Sequence, residues 1–475
     1  MARINTNVSS LTAQRGLTKA NKSLSDTLQR LSTGLRINRG ADDPAGLIAS
    51  EGLRSEISGI NQAIDNSQRA SNVIATAEAA LGEVASLLLN VKDLIVEAAN
   101  SGALSPEEIA ANQLQVDSAV ESITRISNTT TFAGLKLING SLDYITSGVA
   151  TSAIRAINIQ QANFGTSDFI PVDVDVITSA KQAELQFRTS SINETVTLEI
   201  TGRDGVETLT FVSGTNASAV AFAVNRISDV TGVSADYIAA TNANSGIVFR
   251  STEYGSKAFV SVRAQSGSFA TTDVDGNARA RMTGDDAVAT VNGAVTVGDG
   301  LTVKLNTTNL DLELRLSEDI GIGTTRFAIT GGGALFQLGP QVVTNQQVNI
   351  GLASVAASKL GDLDIGFLND VVTGGNSTLV GGDASGASKI IEKAIRQVSV
   401  LRGRLGAFER NTLDTNANSL SVALENVTAA ESKIRDADFA SETSALTRAQ
   451  ILTQAGTAVL AQANSTPQTV LQLLQ

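Results

Sequence analysis

The chain has 475 residues, with 35 Lys plus Arg against 47 Asp plus Glu for a formal charge of −12, and it contains no Cys, no His and no Trp. Those zeros exclude a disulfide, a zinc finger, a thiolate nucleophile, a Ser-His-Asp triad and an imidazole general base. The acidic balance sets nucleic acid aside as a partner, because neutralising phosphates needs a basic face.

The totals conceal a division. Residues 1–140 carry 12 basic and 14 acidic side chains, residues 387–475 carry 9 and 8, and the middle carries 14 and 25, so nearly all the excess charge lies between the ends. Glycine divides the same way, with 28 of the 41 in the middle. The first aromatic residue is Phe132 and none follows Phe439. A carboxylate-only site, a glycosidase pair or a Mg²⁺ site, stays open, but scarce aromatics count against a carbohydrate enzyme, and no catalytic, metal or cofactor residue is singled out. The opening Met1–Asn7 has no apolar core of signal-peptide type, and no run of 18 apolar residues follows, so no membrane span is expected. On these grounds alone the default is a soluble cytoplasmic chain.

The ends read as long helices. Leu24, Leu28, Leu31 and Leu35 form one stripe with coiled-coil spacing. Gly34, Asn38 and Gly40 interrupt it, and Asp43-Pro44 starts a second helix. Its stripe runs through Leu53, Ile57, Ile60 and Ile64, fades at Ser67 and Ser71, and resumes from Ile74 to Ala98. Ser105-Pro106-Glu107-Glu108 is a capping box opening a third helix that runs to about Ser127. Ile391 to Phe408, Leu420 to Ile434 and Leu446 to Ala463 continue the style, with Pro467 expected to stop the last segment.

The middle changes period from 3.6 to 2. Thr195–Ile200 and Val206–Phe211 alternate on either side of Asp204-Gly205, which predicts a hairpin with a type I′ turn, and Asn292-Gly293 predicts another. Leu310, Leu312, Leu314 and Leu316 mark a half-buried strand, and Ala219–Ile227 alone reads as helix. The fold class is therefore α+β: a long antiparallel helical rod or coiled coil formed by both termini, with a β-rich middle inserted. Asp273-Val274-Asp275-Gly276-Asn277 has the start of a calcium loop, but its twelfth position is Gly284 where a bidentate Glu is needed. No Gly-Lys dipeptide occurs, so there is no Walker A loop. The stripe at Leu24–Leu35 has three readings: an assembly seam, an intramolecular core, or a basic membrane-surface helix. Seven basic residues and one acid in 1–40 keep the third in view, while the absence of Trp and Phe weighs against it.

Several motifs resemble those of a known family. Ser32-Thr33-Gly34-Leu35-Arg36-Ile37-Asn38 followed by Ala41-Asp42-Asp43-Pro44-Ala45-Gly46 resembles the N-terminal signature of bacterial flagellin. Phe132–Gly140 resembles the end of that conserved region, and Ala430–Glu442, with Ile434, Asp436, Asp438 and Phe439, resembles the C-terminal signature. Phe336–Pro340 is similar to the return from the variable insert, and Val196–Tyr237 to a small β module of flagellins and hook-associated proteins.

The resemblance implies a structural subunit of the flagellar filament, not an enzyme. It implies an inner terminal domain of 1–42 with 440–475, a helical rod of 43–180 with 330–439, and a β-rich surface domain of 181–329. It implies subunit contacts through Leu24, Leu28, Leu31, Leu35, Leu446, Leu452 and Val459. Implied partners are further copies of the chain, hook-associated and cap proteins, the flagellar export apparatus, and a chaperone at the C-terminal helices. The location becomes extracellular, reached without a cleaved signal peptide. The vertebrate innate flagellin receptor uses an Arg, a Leu and a Glu on the rod of many members. Here Leu94 matches while Asn90 and Gln115 replace the charged pair, which implies weak recognition. A hook-filament junction protein and a surface adhesin with a ligand-binding β module are the alternatives.

Overall fold

The computed structural model describes residues 6–472, with Thr166, Ala240, Thr241 and Thr308 excepted, and among the described residues there are eight α-helices and a set of antiparallel sheets. The helices are α1 (Val8–Thr33), α2 (Pro44–Ala98), α3 (Pro106–Thr129), α4 (Ala217–Asn225), the single turn α5 (Ser228–Thr231), α6 (Ala384–Phe408), α7 (Thr415–Arg435) and α8 (Phe439–Gln472). Two units share the chain, one of Met1–Ser71, Gln337–Gln346 and Phe408–Gln475, the other of Asn72–Phe336 and Gln347–Ala407.

Helix α2 contributes to both. Its 55 residues span about 80 Å at ~1.5 Å per residue. Besides Ser50 and Val73, its buried positions are Ile60, Ala63, Ser67, Ala70, Ile74, Ala77, Leu81, Val84, Leu88, Val91, Ile95 and Ala98; from Ile60 onward these twelve form one stripe. These alternate steps of three and four without a break, which is the seam of a coiled coil. The sequence pattern fades at Ser67 because small and polar residues carry the seam there. Ser67 Oγ donates to the Ala63 carbonyl and accepts from Asn416 Nδ2. Ser71 Oγ donates to Glu409 Oε1. Glu409–Asp414 forms a π-helical turn between α6 and α7.

In the second unit, α3 buries Gln113, Val116, Val120, Ile123 and Ser127, and α6 buries Ala387, Ile391, Ala394, Val398, Leu401 and Leu405. Both stripes again step by three and four. Lys92–Glu392 at 3.0 Å and Glu78–Arg402 at 3.7 Å join α2 to α6 beside the apolar contact. The capping box at Ser105 and Glu108 forms as expected, with Pro106 in the first turn. A hairpin of Gly361–Asp362 and Gly366–Phe367 is clamped through Asp362, which meets Lys393 Nζ at 2.9 Å and Arg315 Nη1 at 2.8 Å. Burial pushes the Asp362 carboxyl up, but the Lys393 and Arg315 contacts prevail and hold it below its ordinary value.

The strands form two modules. In the first, the sheet Ala294–Val295, Val288–Val291, Ile170–Thr178, Gly323–Gly332, Tyr144–Ser147 accompanies a six-stranded sheet centred on Leu310–Leu316 and Ile154–Ala162. Val172, Val174, Val176, Leu312, Leu314, Phe327 and Ile329 share its core. Leu310–Leu316 alternates buried and half-buried positions, as the four leucines predict. The second module sets Gln182–Phe187, Asn242–Tyr254 and Val233–Ala239, with α4, about a core of Leu185, Leu198, Ile200, Val220 and Phe249. A four-stranded sheet containing Val196–Thr201 and Val206–Phe211 completes it. Phe269 stacks on Phe187 at 3.9 Å and meets Phe249 edge-on at 6.1 Å.

The two expected turns divide. Asn292 (φ 49) and Gly293 (φ 79) form the type I′ turn that their positive dihedrals require, with Val291 opposite Ala294. Val196–Thr201 pairs with Val206–Phe211 as expected, but neither Asp204 nor Gly205 takes a positive φ. The loop is four residues, closed by Gly202 N–H donating to the Gly205 carbonyl. Its glycines serve close approach instead, since a Cβ at Gly202 would collide with the Thr231 carbonyl and one at Gly205 would lie 2.7 Å from the Val230 carbonyl.

Candidate assembly surface

The two signature segments meet in backbone hydrogen bonds. Gly34 ends α1 in the left-handed region (φ 73), freeing Leu35 to bridge Asp436 in antiparallel register. Arg36 N–H donates to the Arg435 carbonyl at 2.7 Å, Ala437 N–H to the Gly34 carbonyl at 2.9 Å, and the Arg36 guanidinium to the Ile434 carbonyl. Ile37 is buried at 1 % exposure. Asn38 Nδ2 returns to the Leu35 carbonyl, and Asp42 accepts from the N–H groups of Asn38 and Arg39. The Arg39 and then the Asn38 backbone bond hold the Asp42 carboxyl below its ordinary value. Asp43 Oδ1 accepts from Gly46 N–H at the start of α2, beyond the exposed Ala45. A Cβ at Gly46 would press on the Asp43 carboxylate and the Ile37 Cδ1, so a larger residue there must displace the Asp43 side chain. On the other strand, Ser432 Oγ donates to Asp436, and Asp438 caps α8 by accepting from Ala440 N–H. Phe439 follows with its ring 58 % exposed.

From this joint α1 and α8 run antiparallel. Arg30 and Glu442 pair at 3.2 Å, Gly456 lies against Leu17, and Ser10 Oγ donates to Asn464 Oδ1 at 2.7 Å. Along α1 the inward positions are Ser10, Ala13, Leu17, Ala20, Leu24, Thr27 and Leu31; along α8 they are Glu442, Leu446, Ala449, Thr453, Gly456, Leu460 and Ala463. Both sets step by three and four. Ala and Gly let the backbones approach, and a Cβ at Gly456 would sit 3.3 Å from Leu17 Cδ1.

This seam separates the expected assembly residues. Leu24, Leu31, Leu35 and Leu446 are half-buried within the chain itself, whereas Leu28, Leu452 and Val459 are 49 %, 54 % and 57 % exposed. The sequence stripe joined Leu28 to its neighbours because leucines are conspicuous; the fold runs its seam through Ala20 and Thr27 instead. Exposed beside the outward three are Val8, Leu11 and Ile451, which the sequence reading did not single out.

Helix α8 does not stop at Pro467 as expected but continues to Gln472. A proline inside a helix leaves the carbonyl four residues earlier without its donor. That carbonyl, Ala463 O, accepts instead from Asn7 Nδ2 at 2.7 Å. Asn7 also caps α1 by accepting from Ser10 N–H at 3.0 Å. Asn7→Ala removes both bonds at a cost of about 1 to 2 kcal/mol. Hydrogen exchange should accelerate in the first turn of α1 and near Ala463, with α2 and α3 unchanged.

Elsewhere Asn90 and Gln115 are exposed and Leu94 is half-buried on α2 and α3. Asp273 is occupied by Asn277 and Arg279, and among the described residues no group of three or more carboxylates could hold a metal. Among the same residues no helix is long and apolar enough to cross a membrane.

The family model for the bacterial flagellin N-terminal helical region matches residues 4–143, the C-terminal helical region 388–474, and the flagellin hook IN motif 197–253. The B-type flagellin of Pseudomonas aeruginosa is 31 % identical over 99 % of both chains. The chain belongs to the flagellin family. A flagellin of Salmonella rubislaw is 29 % identical, again over 99 % of both chains. The D2–D3 domains of the Escherichia coli flagellar cap protein align with 39 % of this chain and 97 % of theirs, at 18 % identity and a TM-score of 0.29. This flagellin is a structural subunit that polymerises into the flagellar filament, the extracellular part of the flagellum. The hook-junction and adhesin readings gain no support from its full-length relatives.

Proposed function

We propose that the outward apolar face of α1 and α8 is the subunit contact of the filament core. The observation that carries this reading is the exposure of Leu28, Leu452 and Val459 on helices whose inward seam already holds Leu24, Leu31 and Leu446. A helix pair that buries Ala20, Thr27 and Ala449 on its own is marginal in water, so both termini fold fully only on polymerisation, when Leu35 and its neighbours are covered as well. Circular dichroism and limited proteolysis of monomer against filament test this: helix content and terminal protection should rise on assembly. Termini equally protected in the monomer would refute it.

In the same reading, residues 1–42 with 440–475 form the inner domain, 43–180 with 330–439 the rod, and 181–329 the surface domain. Its excess negative charge keeps filaments apart. Hook-associated and cap proteins meet the ends of the polymer. The subunit leaves through the export apparatus without a cleaved signal, escorted by a chaperone on the C-terminal helices, and a chain without cysteine suits passage unfolded. No catalytic role is assigned to it. Recognition by the vertebrate receptor is weak, because Asn90 and Gln115 supply no charges beside Leu94. Changing Asn90→Arg together with Gln115→Glu should tighten receptor binding by about tenfold or more; no gain in a binding assay contradicts the assignment.

A further inference from the structure

The chain holds two Asn-Gly steps, Asn139-Gly140 and Asn292-Gly293, and the fold treats their carboxamides differently. In such a step the glycine nitrogen can attack the asparagine Cγ and expel ammonia. The resulting succinimide then takes up water at either carbonyl, giving aspartate or isoaspartate. No oxidant or cofactor enters the balance. We propose that Asn139 is a site of spontaneous deamidation in the folded subunit and that Asn292 is protected from it.

At Asn139 the Ser141 N–H donates to Oδ1 at 3.0 Å. This turn folds the carboxamide over its own following peptide. It also places a backbone donor on the oxygen that gains negative charge when Cγ is attacked. Among the described residues neither Asn139 Nδ2 nor the Gly140 N–H has a hydrogen-bond partner, so the leaving group and the nucleophile are both unrestrained. At Asn292 the carboxamide is held at both ends by another strand. Asp173 N–H donates to Oδ1 at 2.8 Å, and Nδ2 donates to the Pro171 carbonyl at 3.1 Å. Loss of ammonia there must first break a bond that Asn139 does not make.

Gly140 is not replaceable. Its φ is +94, and a Cβ would lie 3.2 Å from that of Ser354. The susceptible step is therefore imposed by the fold. Isoaspartate would insert a methylene into the backbone just after Ile138, whose carbonyl accepts from Val355 N–H and Ser127 Oγ. It would also lie just before Leu142, whose carbonyl accepts from Leu352 N–H. The modification thus ages the connection between α3 and the first β module.

The intact protein, incubated in mildly alkaline buffer and sampled over time, tests this. Trypsin yields one peptide from Leu137 to Arg155 and another from Met282 to Lys304, each with a single asparagine. Mass spectrometry should show the first deamidating at least about tenfold faster in the folded protein, the equivalent of one hydrogen bond lost before the transition state. In denaturant the two rates should become similar, and Asn139→Gln should abolish the reaction of the first peptide. Equal rates in the folded protein overturn the proposal. So does a slower first peptide, or a difference that persists in denaturant.

Discussion

Leu452→Asp and Val459→Asp should each abolish filament growth while leaving the isolated subunit as helical and as soluble as the parent. Both side chains lie outside the α1–α8 seam, at 54 % and 57 % exposure, so an aspartate there leaves the inward seam intact. On the proposed reading the same positions become covered in the filament. Burying half a leucine or valine side chain contributes about 1 kcal/mol, and desolvating an unpaired carboxylate in its place costs several more. A total near 4 kcal/mol at each contact corresponds to roughly a thousandfold rise in the monomer concentration needed for growth. Leu446→Asp separates the two interfaces. Leu446 belongs to the seam within the chain, so its substitution should loosen α1 from α8 before any partner is involved. Sedimentation of polymer after seeding, with circular dichroism of the monomer, reads both effects.

The second large effect is expected in helix α2. Leu88 is fully buried in the unbroken seam of α2, whereas its neighbour Leu89 is 52 % exposed. Leu88→Ala should destabilise the monomer by about 3 to 5 kcal/mol, because long helices cannot collapse around a cavity at their shared axis. Leu89→Ala should cost less than about 1 kcal/mol. Urea unfolding of the two variants compares one chemical change in two environments. Similar losses would mean that the seam is misplaced by one residue.

The helical half of this flagellin was largely legible because its signals are periodic and local. The capping box at Ser105, the restart at Asp43-Pro44 and the leucine alternation at Leu310–Leu316 are written in residue type and spacing. What escaped was whatever a partner segment supplies. The α2 seam passes through Ser67 because Asn416 satisfies its hydroxyl from far along the chain. Helix α8 passes Pro467 because Asn7 reaches the carbonyl that proline leaves bare. Ile170–Thr178 alternates apolar and polar residues, but Pro171 near its start and the acidic Asp173 and Asp175 weaken its strand signal. In α1 and α8 the leucine stripe does not separate inward from outward positions. The heptad of Ala13, Leu17, Ala20, Leu24, Thr27 and Leu31 is the signal that would have separated inward Leu24 from outward Leu28.

Polymerising the purified protein and solving the filament by electron cryomicroscopy tests the central claim most directly. The account predicts a helical filament in which Leu28, Leu452 and Val459 lose their exposure against neighbouring subunits while the α1–α8 seam is retained. A filament in which those three side chains still face solvent would contradict it.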